Sequence, residues 1–145
     1  MEKAALKEHR RHSTADKPFS YYISNIPEYF HNTPMHWHKE FELNVILEGE
    51  GDFVTGDIHF TAYKGDIVLT PPDMLHAVYQ HDDKRCVYDT LDLDGSMLGS
   101  RDNGRAADAF IAPLISGAYS IETHITPEHC YYSELLTTAE NMISA

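Results

Sequence analysis

Short apolar segments separated by turn-forming residues make up the chain from Phe19 to Leu93. These segments are rich in Val, Ile, Tyr, Phe and Thr, and Gly, Pro, Asp or Asn lie between them. Such spacing is typical of an all-β sandwich or barrel. The pattern predicts strands at residues 20–26, 41–47, 52–55, 58–62, 66–70, 76–79 and 85–93. Between two of these strands, Gly56-Asp57 predicts a tight hairpin turn that needs a positive φ.

The last third of the chain has a different pattern, which predicts helix. Residues 102–116 are rich in alanine and predict a short helix that ends near Pro113. Thr126-Pro127 is typical of a helix start, because a capping hydroxyl precedes a proline at the first helical position. The apolar residues that follow recur at spacings of three and four, as on one face of an amphipathic helix; they are Tyr131, Tyr132, Leu135, Leu136, Ala139, Met142 and Ile143. This face continues to Ala145, so we expect these residues to be part of a longer polypeptide.

Length and composition restrict the class of protein. With 145 residues, 42% of them hydrophobic and 23% charged, the chain suffices for one globular domain with its own core. No apolar run reaches the roughly 20 residues of a membrane-spanning helix, and the N-terminus lacks the apolar stretch of a secretory signal. Cys86 and Cys130 are the two cysteines, without a CxxC motif. We expect a cytoplasmic protein with reduced thiols, and a disulfide between the two cysteines as the alternative.

The formal net charge of −12 is unevenly distributed. Residues 1–17 contain five Lys or Arg and three Asp or Glu, a net charge of +2. The other residues contain six basic and twenty acidic side chains, a net charge of −14. Because so acidic a body repels a phosphate backbone, we expect another segment to make any contact with DNA. We interpret residues 1–17 as a polar arm that is solvated or, alternatively, folds over the mouth of a pocket.

The segment from His36 to Glu42 is the strongest candidate for chemistry. His36, His38 and Glu42 share the same parity, so on an extended strand their side chains point to one face. Two imidazoles and a carboxylate suit zinc, iron, nickel or manganese, with another ligand from elsewhere. His76, at the start of another predicted strand, is the candidate for that ligand.

The spacing in this segment resembles the first motif of the cupins. That motif consists of His-x-His, three or four residues, Glu, six residues and Gly, and His36, His38, Glu42 and Gly49 match it. The glycine that usually opens the motif is replaced by Phe30.

A second cupin motif is matched in part. Gly65, Pro71 and His76 are in register with it, while Asp73 replaces a glycine and Gln80 replaces an asparagine. The two motifs imply a mainly β fold, a cupin-type jelly-roll barrel (double-stranded β-helix) with C-terminal α-helices. They also imply a single divalent metal ion, Zn, Ni, Fe or Mn, at His36, His38, Glu42 and His76.

A narrower resemblance covers residues 34–78, which are similar to the N-terminal sensing domain of AraC-type transcription regulators. Those domains show His-x-His, then Glu, a hydrophobic-Glu-Gly end, Gly-Asp, Pro-Pro and His. The resemblance implies a small-molecule effector, such as a sugar, in the barrel, and a homodimer formed by the following helices. It also implies DNA binding by a separate C-terminal domain of two helix-turn-helix units, which we expect to follow and which this chain lacks.

This resemblance divides the chain into an arm at residues 1–17, a cupin barrel at 18–100 and a helical dimerisation or linker segment at 101–145. We expect the C-terminal helix to contact a second copy or, alternatively, to pack on the barrel itself. The residues of that helix are Tyr132, Leu135, Leu136, Ala139, Met142 and Ile143.

Each functional expectation has an alternative. The cluster of three histidines and Glu42 could be a hydrogen-bonded polar group without metal. Parity directs Asn44, Ile46, Val68 and Thr70 inward, where they contact an effector or, alternatively, fill the core. We expect a sensing domain without enzymatic activity. The competing functions are a stand-alone metal-dependent cupin enzyme, of the dioxygenase or isomerase class, and a binding cupin without a partner domain.

Overall fold

The computed structural model describes residues 2–9, 12–13, 18–94, 113 and 120–145. In this part of the chain the strands are β1 (Phe19–Ile26), β2 (Asn32–His36), β3 (Phe41–Thr55), β4 (Ile58–Tyr63), β5 (Ile67–Thr70), β6 (His76–Gln80), β7 (Cys86–Leu93) and β8 (His124–Ile125), and the α-helix is α1 (Tyr132–Ser144). A short 3-10 helix, Lys3–Leu6, precedes them. Apart from Pro113, the helix predicted at residues 102–116 lies outside the described residues. Within the described part, no helix is both long and apolar enough to cross a membrane.

The strands form two antiparallel sheets that share β3. The larger sheet has the order β1-β7-β3-β5-β8. In the smaller sheet β3 pairs with β4 and β6, and β6 pairs with β2. Residues 41–49 of β3 pair with β7, whereas residues 50–55 pair with β4, so β3 crosses from one sheet to the other. The result is the mainly β jelly-roll barrel that the two motifs imply.

Gly49 lies where β3 changes sheet. Its φ is +74°, and a Cβ atom at this position would lie 1.7 Å from the carbonyl oxygen of Arg85. Glycine avoids both the strained φ and the collision. The separate strands predicted at residues 41–47 and 52–55 are therefore wrong. The glycines between them allow one strand to pass through the corner, and they do not form a turn.

The sequence did not predict two short strands, β2 and β8. β2 contains Pro34, which argues against a strand, but among the described strands β2 pairs with β6 alone, and an edge strand tolerates proline. β8 has two residues, too few for an alternating pattern. The hairpin at Gly56-Asp57 is confirmed, because Thr55 and Ile58 pair across it and Gly56 has a φ of +59°.

The core has two parts, one on each face of the larger sheet. Inside the barrel, Ile46 and Val68 pack against Phe53 of the smaller sheet. On the opposite face, Leu43 and Val45 pack beneath α1. In the first half of β3, residues 42, 44 and 46 therefore point into the barrel, and residues 43 and 45 point toward the helix. Because both faces are covered, residues 42–46 are all buried.

The C-terminal helix begins at Tyr132, whereas the sequence predicted a start at Thr126-Pro127. Residues 127–131 form turns. The Thr126 hydroxyl donates to the Glu128 carboxylate instead of capping a helix, and the His129 N–H donates to the Thr126 carbonyl at 3.0 Å. The predicted start is wrong because these local bonds satisfy the groups that a helix cap would use.

Candidate functional site

Three histidines and a glutamate meet at one end of the barrel. His36 ends β2, His38 lies between β2 and β3, Glu42 lies on β3, and His76 begins β6. Their candidate ligand atoms all lie within 4.8 Å of one another. His38, Glu42 and His76 are buried, whereas the His36 side chain is 17% exposed. The structure brings together all four residues named from the motifs, and they are called the histidine cluster below.

The histidine cluster is assembled from two sheets. His36 pairs with His76 in the smaller sheet, while Glu42 pairs with Thr70 in the larger one. Residues 37–40 lie outside the strands, where the chain passes between the sheets. The expectation that His36, His38 and Glu42 share one face of one strand is therefore wrong, although the side chains do converge.

A tight turn positions His76. Asp73, which replaces the motif glycine, has a φ of +63°, a conformation that aspartate tolerates better than most residues. Its backbone N–H donates to the His38 carbonyl oxygen at 2.9 Å. The turn thus keeps a glycine-like conformation and connects the segment before His76 to the segment that contains His38.

Each imidazole of the cluster is oriented by a hydrogen bond from its Nδ1 atom. A neutral imidazole has one N–H, so a donating Nδ1 leaves a lone pair on Nε2. Outer hydrogen bonds of this kind orient ligating histidines in metal sites. The three Nδ1–H groups donate to backbone carbonyl oxygens, His36 to Pro34 at 2.8 Å, His38 to Glu40 at 3.2 Å and His76 to Met74 at 2.8 Å.

Two of the Nε2 atoms face one carboxylate oxygen. Those of His38 and His76 lie 3.2 and 3.5 Å from Oε1 of Glu42. The Nε2 atom of His76 is buried and has no hydrogen-bond partner among the described residues. A lone pair beside a carboxylate oxygen is unfavourable unless a proton or a cation lies between them. The donor set of three imidazoles and one carboxylate therefore fits a divalent transition metal ion.

The pKa values in the cluster reflect these contacts. Burial raises the pKa of Glu42, but His76 and His38 outweigh burial and hold the pKa well below its usual value. Burial lowers the pKa of His76, but the Glu42 carboxylate outweighs burial and raises it. At His36, burial and the neighbouring His76 lower the pKa. Glu42 is thus an anion and His36 a neutral base, as metal binding requires, while a proton and an ion would compete at His76.

Asp92 adds a second buried carboxyl group that sequence reasoning missed. It lies on β7, opposite Glu42 in the larger sheet, and its Oδ1 atom is 3.6 Å from Nε2 of His38. Burial and the Glu42 carboxylate raise the pKa of Asp92 to about 9. The sequence did predict this strand. Thr90 and Asp92 are two residues apart on it, so their side chains point to the same face, and this alternation could have identified Asp92 as an inward residue.

The N-terminal arm (residues 2–9 and 12–13) lies against the mouth of the barrel. The Glu8 N–H donates to the Trp37 carbonyl at 2.9 Å, the Trp37 N–H donates to the Leu6 carbonyl at 3.1 Å, and the indole N–H donates to the Lys3 carbonyl at 2.7 Å. The ammonium groups of Lys3 and Lys7 lie over the indole ring. The described arm residues therefore contact the barrel through these bonds, while residues 2–5, 7 and 9 stay exposed to solvent.

His12 connects the arm to the interior. Its Nε2 atom is 2.7 Å from Oε2 of Glu8, and its Nδ1 atom is 3.0 Å from Oδ2 of Asp92 and 2.9 Å from the Tyr22 hydroxyl. Burial lowers the pKa of His12, but Glu8, Asp92 and Tyr22 outweigh burial and raise it to about 10. His12 is thus an imidazolium at neutral pH. Sequence reasoning gave it no role, because its position depends on how the arm docks.

A cavity of about 350 Å³ extends from the histidine cluster into the barrel, a volume typical of small-molecule sites. Its lining includes the polar side chains of His36, Glu42 and Asp92 and the apolar surfaces of Val78 and Tyr88. Ser24, Thr33 and Thr90, which carry hydroxyl groups, also line it. A wider depression of about 670 Å³ lies beside the arm, but it touches the cluster only at His38.

The four residues suggested for effector contact lie beside this cavity and do not line it. Ile46 and Val68 belong to the apolar cluster inside the barrel. Asn44 and Thr70 are 1% exposed, and the Asn44 side-chain amide donates to the Thr90 hydroxyl at 2.8 Å. Asn44 therefore supports a wall residue, and its own side chain lies behind the wall.

The helix residues suggested for a dimer lie against the protein's own larger sheet. Ala139 is buried there, the other five are half-buried, and the Tyr132 hydroxyl donates to the Gly65 carbonyl. The stripe is therefore partly covered within one chain, which is the alternative stated from the sequence. The stripe comprises Tyr132, Leu135, Leu136, Ala139, Met142 and Ile143.

Comparison with solved structures finds proteins that are similar to about half of this chain. A cupin protein (BF4112) from Bacteroides fragilis is 20% identical with a TM-score of 0.48, over 53% of this chain and 66% of that one. The DMSP lyase DddQ from Ruegeria pomeroyi DSS-3 is 25% identical with a TM-score of 0.47, over 52% and 38%. Oxalate decarboxylase from Bacillus subtilis is 21% identical with a TM-score of 0.41, over 45% and 18%.

Sequence comparisons identify the family. An uncharacterized HTH-type transcriptional regulator, YdeC, from Bacillus subtilis (strain 168) is 27% identical over 89 residues. These residues are 61% of this chain but 31% of that relative, so the chain matches about a third of the relative's length. The family model of the AraC-like ligand binding domain matches residues 17–101. With more than half of its residues matched and the barrel in place, this chain belongs to the AraC-like ligand-binding domain family.

Proposed function

We propose that this domain senses a small molecule on behalf of an AraC-type transcription regulator. The observation that carries the proposal is the polar cavity of about 350 Å³ next to the histidine cluster. Family membership supports a bound effector, and the relative named as an HTH-type regulator supports a role in transcription. A separate domain would contact DNA, because residues 18–145 have a net charge of −14 and repel a phosphate backbone.

We also propose that His36, His38, Glu42 and His76 hold one divalent transition metal ion: Zn, Ni, Fe or Mn. The support is the fixed Nδ1 hydrogen bonds and the Nε2 lone pairs that meet one carboxylate oxygen. When bound, the ion would act as a Lewis acid toward an oxygen atom of the effector. The chain itself supplies a negative charge at Glu42 and rings held in fixed orientations by backbone carbonyls.

The cavity wall favours a neutral effector rich in hydroxyl groups, such as a sugar. Carboxyl groups of Glu42 and Asp92 and hydroxyl groups of Ser24, Thr33 and Thr90 can accept or donate hydrogen bonds to it. An anion would meet the Glu42 carboxylate, whose pKa is held well below its usual value, so anions should bind more weakly without the metal. Val78 and Tyr88 provide an apolar surface for the carbon skeleton.

A thermal-shift screen of neutral sugars and sugar acids, with and without Zn²⁺, tests this function. A true effector raises the melting temperature by binding the folded state alone, and calorimetry should then give its dissociation constant. Thr33→Val removes a hydroxyl from the cavity wall and should weaken binding. Thr61→Val is the matched control, because the Thr61 hydroxyl binds Asp52 away from the cavity. Equal weakening in both variants would place the effector elsewhere.

The same geometry favours a second candidate, a metal-dependent cupin enzyme. The cavity directly adjoins Glu42 and His36, so a substrate there could reach a bound ion. The two functions differ in turnover: a sensor leaves its ligand unchanged, whereas an enzyme of the dioxygenase or isomerase class converts it. Mass spectrometry of each bound compound after incubation with the metal-loaded domain separates them.

We propose further that the domain forms a homodimer through α1. The support is that Leu135, Leu136 and Met142 remain half-buried on the surface of one chain, which leaves apolar area for a partner. Leu135→Glu should shift the sedimentation of the protein from dimer to monomer. Thr137→Glu, on the exposed side of α1, should not. Circular dichroism must show an intact barrel in both variants, because Leu135 also packs on the sheet.

A further inference from the structure

A second group of possible ligands shares one residue with the histidine cluster. The side chains of Glu8, His12 and His38 offer ligand atoms that also lie within 4.8 Å of one another. The Nδ1 atom of His38 donates to the Glu40 carbonyl, so only its Nε2 atom, which faces Glu42, can bind an ion. Because the two groups share His38, one ion bound there would have ligand atoms of both groups nearby.

Within the second group, Glu8 is the residue that has an oxygen atom available to bind an ion. Both nitrogen atoms of His12 are occupied, one by Glu8 and the other by Asp92 and Tyr22. A carboxylate has two oxygen atoms, and the contact with His12 uses Oε2 of Glu8. That oxygen lies 3.7 Å from Nε2 of His36, and Glu8 and His38 offer ligand atoms within 4.8 Å of each other, so the carboxylate lies beside two residues of the histidine cluster. His12 is thus a positioning residue that directs Glu8 toward them.

We propose that Glu8 is a further ligand of the ion held by the histidine cluster, so that ion binding and docking of the N-terminal arm strengthen each other. This inference rests on the metal site proposed above. The arm is otherwise attached near Glu8 by backbone bonds to Trp37. Linkage requires that the ion favours arm docking by the same factor by which the docked arm raises ion affinity.

Zn²⁺ affinity, measured by competition with a chromophoric chelator, is the first test. Glu8→Gln should weaken Zn²⁺ binding by about tenfold or more, since even residues outside the ligand shell contribute about 10- to 100-fold. Glu2→Gln is the matched control, the same substitution at an exposed position of the same arm. It should leave the affinity unchanged.

Trypsin cleavage at Lys3, Lys7, Arg10 and Arg11 reports arm docking. Zn²⁺ should slow cleavage of the arm in the unmodified protein and in Glu2→Gln, but much less in Glu8→Gln. The visible spectrum of bound Co²⁺ distinguishes a ligand from a positioning role, because its intensity changes when the coordination number changes. A Glu8→Gln variant with weakened binding and an unchanged Co²⁺ spectrum would exclude Glu8 as a ligand.

The remaining outcomes are also decisive. If Glu8→Gln binds Zn²⁺ as tightly as the unmodified protein, the role of Glu8 is wrong and the four-residue site stands. If the unmodified protein binds neither Zn²⁺ nor Co²⁺, the metal site and the inference about Glu8 are both wrong. Weakened Zn²⁺ binding, lost protection and an altered Co²⁺ spectrum together support the proposal.

Discussion

The two ends of the barrel interior differ in chemistry although the same strands form them. At one end, buried carboxyl and imidazole groups surround Glu42; at the other, Ile46 and Val68 pack against Phe53 in an apolar cluster. Glu42 and Ile46 lie four residues apart on the same face of β3. A single strand therefore provides residues of both the site and the core.

The ends also contribute differently to stability. Each fully buried aliphatic side chain contributes about 1.5 to 3 kcal/mol to folding. At the polar end Asp92 opposes folding at neutral pH, because burial and the Glu42 carboxylate raise its pKa to about 9. Groups with such shifted pKa values in a cavity are typical of functional sites. The comparison predicts that substitutions at the apolar end reduce stability and those at the polar end reduce binding.

Ile46→Ala should have the largest effect on stability. Ile46 is 1% exposed, and its truncation leaves a cavity among close-packed neighbours, which costs about 2 to 5 kcal/mol. Chemical denaturation measures the change in the free energy of unfolding. Ile58→Ala, at a side chain that is 50% exposed, is the control and should change it by less than about 0.5 kcal/mol. Equal effects would show that the apolar end is not the stabilising one.

Metal removal should have the next largest effect, and at the opposite end. If the histidine cluster binds Zn²⁺, a free concentration of 100 times the dissociation constant stabilises the fold by about 2.7 kcal/mol. A chelator should therefore lower the melting temperature of the Zn²⁺-loaded protein. In His76→Gln, which removes a buried ligand, the chelator should have little effect.

His59→Gln is the control for this experiment, because His59 is exposed on β4. It should retain the full response to the chelator. If elemental analysis finds no metal in the unmodified protein after incubation with zinc, nickel and iron, the histidine cluster is a hydrogen-bonded polar group only.

The sequence predicted the fold and the cluster because both depend on local spacing. Alternating apolar residues define most strands, and the motif spacing brings His36, His38, Glu42 and His76 into one set. The error about β3 arose from Gly49. In the sequence a glycine at this position indicates a turn between two strands, and only the structure shows that Gly49 is needed because the backbone of Arg85 lies so close. Motif spacing therefore succeeded where the simpler parity argument failed.

The residues that sequence reasoning missed depend on contacts between distant segments. Asp92 joins the site because β7 pairs with β3, and this register is not visible in either strand alone. Glu8 and His12 join it because the arm docks on Trp37. For Asn44, parity correctly gave a buried position, but only the structure shows that Thr90 lies between it and the cavity.

Thr90→Val tests whether the polar and apolar ends of the barrel are independent, and its expected effect on stability is smaller than that of Ile46→Ala. The Thr90 hydroxyl accepts a 2.8 Å hydrogen bond from the Asn44 amide, and both residues are buried. The variant leaves the amide without its acceptor, which costs about 1 to 3 kcal/mol in the free energy of unfolding. Zn²⁺ affinity should stay within about twofold, because neither residue is in the histidine cluster. A large loss of Zn²⁺ affinity would mean that the two ends are coupled.

Labelling of the two cysteines tests whether the apolar end is closed to solvent, and it requires no substitution. Both thiols are free; Cys86 is buried in the apolar cluster and Cys130 is exposed before α1. Burial and Glu50 raise the pKa of the Cys86 thiol to about 12, so it stays protonated and unreactive throughout the neutral range. A thiol reagent at pH 8 should label one cysteine rapidly in the folded protein and both in denaturant. Peptide mapping should identify the rapid site as Cys130, and rapid labelling of Cys86 would show that the apolar end opens to solvent.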